Sequence, residues 1–95
     1  MTLHTLNRAA SNQALIDDCL AALVDGDALL LLEDGVYCAL EARPLPLPTG
    51  VRCYALAADV SARGLDGRLA SAIEVIDDAD FVRLCCEHER VLSWF

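Results

Sequence analysis

The sequence predicts an α/β fold of three layers, a mainly parallel sheet of about four or five short strands with helices on both faces. Three observations lead there. Ala28 to Leu32 is an unbroken apolar run stopped by Glu33-Asp34-Gly35, the pattern of a short strand buried on both sides. Helix-like periodicity flanks that run before and after it. Strand-like and helix-like segments alternate with short connections along the chain, as βαβ units do. The order of strands within the sheet does not follow from this pattern.

The elements follow in turn. Leu3 to Leu6 reads as a first strand, and Ser11 or Asn12 can cap the helix after it. That helix should run to about Val24, with Leu15, Ile16, Cys19, Leu20 and Leu23 on its apolar face and Asp17, Asp18, Ala21 and Ala22 at its borders or outside. Asp25-Gly26-Asp27 ends it. After the leucine strand, Gly35 is placed to take a positive φ in the turn, and Val36 to Leu40 reads as a short helix favoured at its start by Glu33 and Asp34.

Arg43 to Gly50 alternates Pro44, Pro46 and Pro48 with other residues, which removes backbone donors and favours an extended loop. Val51 to Leu56 is the third strand, and Ala57 to Arg63 a short helix closed by Gly64. Ile73 to Ile76 is the fourth. Asp77 or Asp78 then caps a helix with Phe81, Val82, Cys85 and Glu89 on one side, and Val91 to Phe95 adds a last short strand.

Composition bounds the function. Residues 1–95 are the size of one small domain, yet 56% of them are apolar and the mean hydropathy is +0.40. A chain this short cannot cover so much apolar side chain by itself, so part of its surface is expected to meet another subunit. The net charge of −8 opposes a phosphate backbone and excludes the counterion release behind most nucleic-acid binding, so no direct contact with nucleic acid is expected. No run approaches the ~18 apolar residues of a membrane span. Met1 to Arg8 lacks the charged and apolar regions of a signal peptide, and a cytoplasmic location is expected.

Cys19, Cys38, Cys53, Cys85 and Cys86 form an odd set without Cys-x-x-Cys spacing, which points to reduced thiols rather than a disulfide framework or a four-thiolate zinc site. Cys19 lies within the apolar stripe beside Asp17 and Asp18, which disfavour a thiolate, so on geometry alone it packs. Cys38 follows the Asp34-Gly35 turn, at the strand end where α/β proteins place ligands, and has a better claim to chemistry than Cys53. Cys85, Cys86 and His88 cannot converge on one tetrahedral metal from a helix. His4 has no nucleophile near it in sequence and should satisfy a backbone partner, while Glu33/Asp34 and Asp77/Asp78 read as turns and caps. No phosphate loop, dinucleotide fingerprint or nucleophile elbow is present, and no cofactor or metal is expected.

Several segments together carry a resemblance: Leu3-His4-Thr5-Leu6-Asn7-Arg8, the leucine strand with Glu33-Asp34-Gly35, Tyr54-Ala55-Leu56 followed by Ala62-Arg63-Gly64-Leu65, and Asp80-Phe81-Val82-Arg83-Leu84. In order and spacing they resemble the DsrH/TusB family across nearly the full chain. The resemblance implies a DsrEFH-like α/β subunit of a hetero-hexameric sulfur relay, with DsrE/TusD-like and DsrF/TusC-like sister subunits. A TusA-like donor and a TusE-like acceptor would be indirect partners. It also implies that persulfide sulfur ends in the 2-thio group of tRNA wobble uridine, or, in the DsrH branch, that the complex serves dissimilatory sulfur oxidation. Asp18-Cys19-Leu20 is similar to the DsrH-type pattern, in which this helix carries a cysteine, so a persulfide-carrier role can be transferred to Cys19. A purely structural assembly module, or a self-sufficient sulfurtransferase acting through Cys19, are the other readings. The proline loop Pro44 to Pro48 and the pair Cys85-Cys86 depart from the family pattern.

Overall fold

The computed structural model describes residues 1–9 and 11–95. Among the described residues, parallel strands β1 (Thr2–Leu6), β2 (Ala28–Leu31), β3 (Arg52–Leu56), β4 (Ile73–Ile76) and β5 (Arg90–Trp94) form a five-stranded sheet in the order β4-β3-β2-β1-β5. Helices α1 (Gln13–Ala22), α2 (Ala57–Ala62) and α3 (Asp78–Glu87) and a 3-10 helix (Glu33–Ala39) connect them. The three-layer parallel α/β architecture is the one the sequence predicts.

The leucine run explains why the layers exist. All four residues of β2 are buried, Ala28 and Leu30 in one core and Leu29 and Leu31 in the other, because successive side chains of a strand point to opposite faces. Which helix covers which face follows from topology. β1 to β4 step in one direction across the sheet, and right-handed crossovers in one direction put their connections on one face. Ile16 and Cys19 of α1, Val36 and Cys38 of the tight helix and Val60 of α2 accordingly share a core with Leu29, Leu31 and Cys53. The connection from β4 to β5 runs back across the whole sheet and lays α3 over the opposite face, where Leu84 meets Leu3, Leu30, Tyr54 and Ile76.

Local chemistry sets the boundaries. Asn12 stands at the start of α1 without a side-chain capping bond, and Ile16, Cys19 and Leu23 are the residues that segment buries. The helix stops at Ala22, short of Val24, because the Asp27 carboxylate captures the Val24 N–H at 3.2 Å and the Asp27 N–H returns to the Val24 carbonyl at 3.0 Å. α2 ends in a paired arrangement in which Gly64, at φ +66°, donates to Ser61 and Leu65 donates to Val60, both at 3.1 Å.

Two expectations are corrected in the turn after β2. The positive φ falls on Glu33, at +49°, and not on Gly35. Glu33 is held there by its N–H donating to the Asp59 carboxylate at 2.7 Å, while Asp59 and Asp34 are both bridged by Arg63. Gly35 is required for a different reason: a Cβ at this position would overlap the Leu6 carbonyl. The helix therefore starts at Glu33 rather than Val36, opened by the Gly35 N–H donating to the Leu32 carbonyl at 2.9 Å.

On α3, Asp77 caps the N-terminus by accepting from the Asp80 N–H at 2.8 Å, as the sequence suggests. The buried face is centred on Leu84 with Phe81 and Cys85 beside it. Val82, expected on that side, is 62% exposed, because it lies roughly 200° around the helix from Leu84. Glu89 lies beyond the end of the helix and is exposed.

Candidate functional site

Three of the five cysteines meet in the larger core: Cys19 from α1, Cys38 from the tight helix and Cys53 from β3. Cys19 and Cys38 sit there because their helices turn an apolar face to the sheet, and Cys53 because it points to that same face from β3. Cys19 has no exposed surface, and burial, with Cys38 adding to it, pushes its thiol up to about 11. Burial pushes Cys53 up to about 12, with Cys38 and Cys19 adding and the Tyr54 backbone N–H opposing. Burial also raises Cys38, whose Sγ donates to the Arg8 carbonyl at 3.8 Å. At neutral pH the thiolate of Cys19 is therefore on the order of one part in ten thousand in this conformation.

The three thiols differ in access. A groove of about 560 Å³ runs between α1 and the proline loop, with Ile16, Leu20, Leu40 and Leu45 as its apolar wall and Tyr37, Arg43 and Asp17 among its polar groups. Cys38 lines this groove; Cys19 and Cys53 do not. Cys85 is half-buried on α3, raised first by burial and then by Cys86, while Cys86 is exposed. Among the described residues no three His, Cys, Asp or Glu side chains are arranged to hold a metal ion.

A second buried polar cluster lies at the β1–β5 side of the sheet. His4, 3% exposed, approaches the Asp27 carboxylate through Nε2 at 3.0 Å, and the indole N–H of Trp94 donates to His4 Nδ1 at 3.1 Å. An indole nitrogen can only donate, so Nδ1 accepts and the ring proton sits on Nε2, donating to Asp27. The rings are stacked with centroids 6.2 Å apart. Burial works to raise the Asp27 carboxyl, but the Thr2 N–H at 3.0 Å, the His4 ring and the Val24 N–H outweigh it and hold it below the usual carboxylate range. The backbone partner expected for His4 is thus replaced by two side chains. Asp27 and Trp94 were not legible as its partners, although an acid immediately before a buried strand and a lone tryptophan in an edge strand are the signals that could have marked them.

β5 itself is an edge strand, with Val91 48%, Leu92 45% and, just beyond it, Phe95 76% exposed. Apolar surface remains uncovered there, as the composition requires.

Comparison with known proteins gives this geometry a family. The DsrH-like protein family matches residues 8–91. The chain belongs to that family. It is the sulfur-relay subunit family that the ordered segments of the sequence resemble. Protein TusB of Enterobacter sp. (strain 638) is 38% identical over 95 residues, covering 97% of this chain and 99% of the relative. In fold, the DsrH-like chain is similar to the ychN protein of E. coli, with a TM-score of 0.72, 14% identity and coverage of 98% and 97% of the two chains. It is also similar to protein Tm0979 of Thermotoga maritima, with a TM-score of 0.70, 23% identity and coverage of 94% and 95%. Among the described residues no helix of this DsrH-like chain is long and apolar enough to cross a membrane.

Proposed function

We propose that residues 1–95 act as one DsrH/TusB-like unit, an accessory subunit of a cytoplasmic persulfide-relay complex that supplies sulfur for 2-thiolation of tRNA wobble uridine. Its sister subunits are DsrE/TusD-like and DsrF/TusC-like chains in a hetero-hexamer, and a TusA-like donor and TusE-like acceptor stand on either side of the relay. The observation that carries this reading is the 38% identity to TusB over 97% of the chain. Two features support it. The strongly acidic surface suits a protein that never grips tRNA directly, and the apolar residues left uncovered on β5 suit a subunit that is completed by neighbours.

The test is co-expression with TusC-like and TusD-like chains from the same genome, followed by size determination of the purified complex, together with measurement of 2-thiouridine in tRNA from a deletion strain. Recovery of a stable complex and loss of the 2-thio group are expected. A chain that purifies alone, and whose deletion changes neither tRNA thiolation nor sulfur oxidation, is not a relay subunit.

The Asp18-Cys19-Leu20 pattern is also that of a second reading, a DsrH-type subunit for dissimilatory sulfur oxidation, and Cys19 is compatible with both branches. In either branch Cys19 can carry persulfide only if α1 lifts from the sheet, since the thiol is closed off and protonated in the packed core. That burial favours an assembly role over independent turnover. Mass spectrometry after exposure to a persulfide donor separates the two: a one-sulfur adduct lost in Cys19→Ser marks a carrier, and unchanged sulfur flux through the complex with that variant marks an assembly module.

A further inference from the structure

We propose that His4, Asp27 and Trp94 form a proton-controlled latch that keeps β5 on the sheet, closed while the His4 ring is neutral and opened when that ring takes a second proton. In the closed state every polar group of the latch is paired. Nε2 donates to Asp27 at 3.0 Å and Nδ1 accepts from the Trp94 indole at 3.1 Å. Nε2 already carries its proton, so a second one goes to Nδ1. The ring then points an N–H at an indole N–H, and one hydrogen bond is replaced by two opposed donors.

The strain falls on Trp94 rather than on Asp27. The carboxylate is fixed by three donors, the Thr2 N–H at 3.0 Å, the Val24 N–H at 3.2 Å and His4 itself, and sits 6% exposed at the start of β2. Trp94 is half-buried on a strand with a neighbour on one side only, whose remaining side-chain tie to β1 is Thr5 Oγ1 donating to Ser93 Oγ at 3.1 Å.

Charged groups of both signs surround the ring. Asp27 from the β2 side touches the ring, while Glu89 and the Met1 amino group, paired with each other at 3.9 Å, and Arg90 line the same pocket. The end of α1 contributes Ala22 and the turn after it Val24, and neither side chain titrates. Asp27 stays ionised at the Nε2 edge of the ring and accepts the new cation as an ion pair, which leaves the indole as the group displaced.

Trp94 is the one tryptophan of the sequence, so its indole N–H gives a single resonance in a nitrogen-15 spectrum of the full chain. At neutral pH the His4 ring should show the Nε2–H tautomer. As pH is lowered, the indole resonance should shift, and hydrogen-exchange protection of the Val91 to Trp94 amides should fall on the order of tenfold, at the midpoint of His4's own ring titration, with β4 amides unchanged. In Trp94→Phe, which removes the donor and keeps an aromatic ring, His4 should titrate without a coupled step in β5. An Nδ1–H tautomer, a His4 titration that leaves the indole and β5 unmoved, or a ring that takes no proton before global unfolding overturns the proposal. If Trp94→Phe detaches β5 at every pH, His4→Gln decides, because it must abolish the step; persistence of the step at the same midpoint also overturns the latch.

Discussion

The backbone of Gly35 lies against the carbonyl of Leu6, so that the tight helix after β2 rests directly on the end of β1. No side chain fits between them. Gly35→Ala should cost on the order of 3 kcal/mol, because the clash is with backbone and not with the tip of a movable side chain. Gly64→Ala should cost about 1 kcal/mol, since φ is +66° there but the space around it is open. Urea unfolding midpoints of the two variants, compared with the parent, check the order; equal losses would mean that the close approach to Leu6 does not exist in solution.

Acid stability should depend on Asp27. Its folded carboxyl lies below the unfolded range near 3.9, so the stability it contributes is fully present above that range and lost as pH falls through its own folded value. Unfolding free energy measured between neutral and strongly acidic pH should therefore fall less steeply in Asp27→Asn than in the parent. The variant should also be weaker at neutral pH by about 1–3 kcal/mol, from the loss of charge-assisted bonds to Thr2, His4 and Val24.

Thiol reactivity should follow burial. Alkylation of the native chain at mildly alkaline pH, read by peptide mass spectrometry, should modify Cys86 first, Cys85 more slowly and Cys38 last through its groove, with Cys19 and Cys53 spared until denaturant is added. Early modification of Cys19 would show that α1 opens far more readily than its packing indicates, and would strengthen a carrier role.

The face under α3 depends on few contacts. Leu84→Ala should cost about 2–5 kcal/mol, since Leu84 is the residue α3 buries there, whereas Val82→Ala on the opposite side of the helix should stay within about 0.5 kcal/mol. Denaturation curves of the two variants measure the contrast.

The sequence carried the elements well because each was marked by local chemistry. The leucine run supplies both cores, Asp77 caps α3, Gly64 closes α2, and the alternating prolines keep residues 43–50 out of strands and helices. What escaped was non-local. The place of β5 beside β1 depends on α3 crossing back over the sheet, which no periodicity records. Val82 reads as buried in the sequence because an apolar residue on a short helix looks inward until the true centre, Leu84, is known. The Gly35 requirement comes from Leu6, far away in sequence, and the partners of His4 come from positions 27 and 94. Of the candidate site, the reduced thiols were legible from composition. That Cys38 lines a groove while Cys19 is sealed beneath α1 depends on how the proline loop packs, which only the folded chain reveals.

The pairing of β1 with β5 joins residues such as Thr5 and Ser93, 88 positions apart. Such a closure is among the last a folding chain can make, because a loop that long loses much entropy before any contact repays it. While β2, β3 and β4 can assemble stepwise on β1, the outer margin of β1 stays open to any extended peptide until β5 returns to it. The vulnerable period of this small sheet is thus the wait for its fifth strand, and chaperone protection of the nascent chain would matter most during that interval.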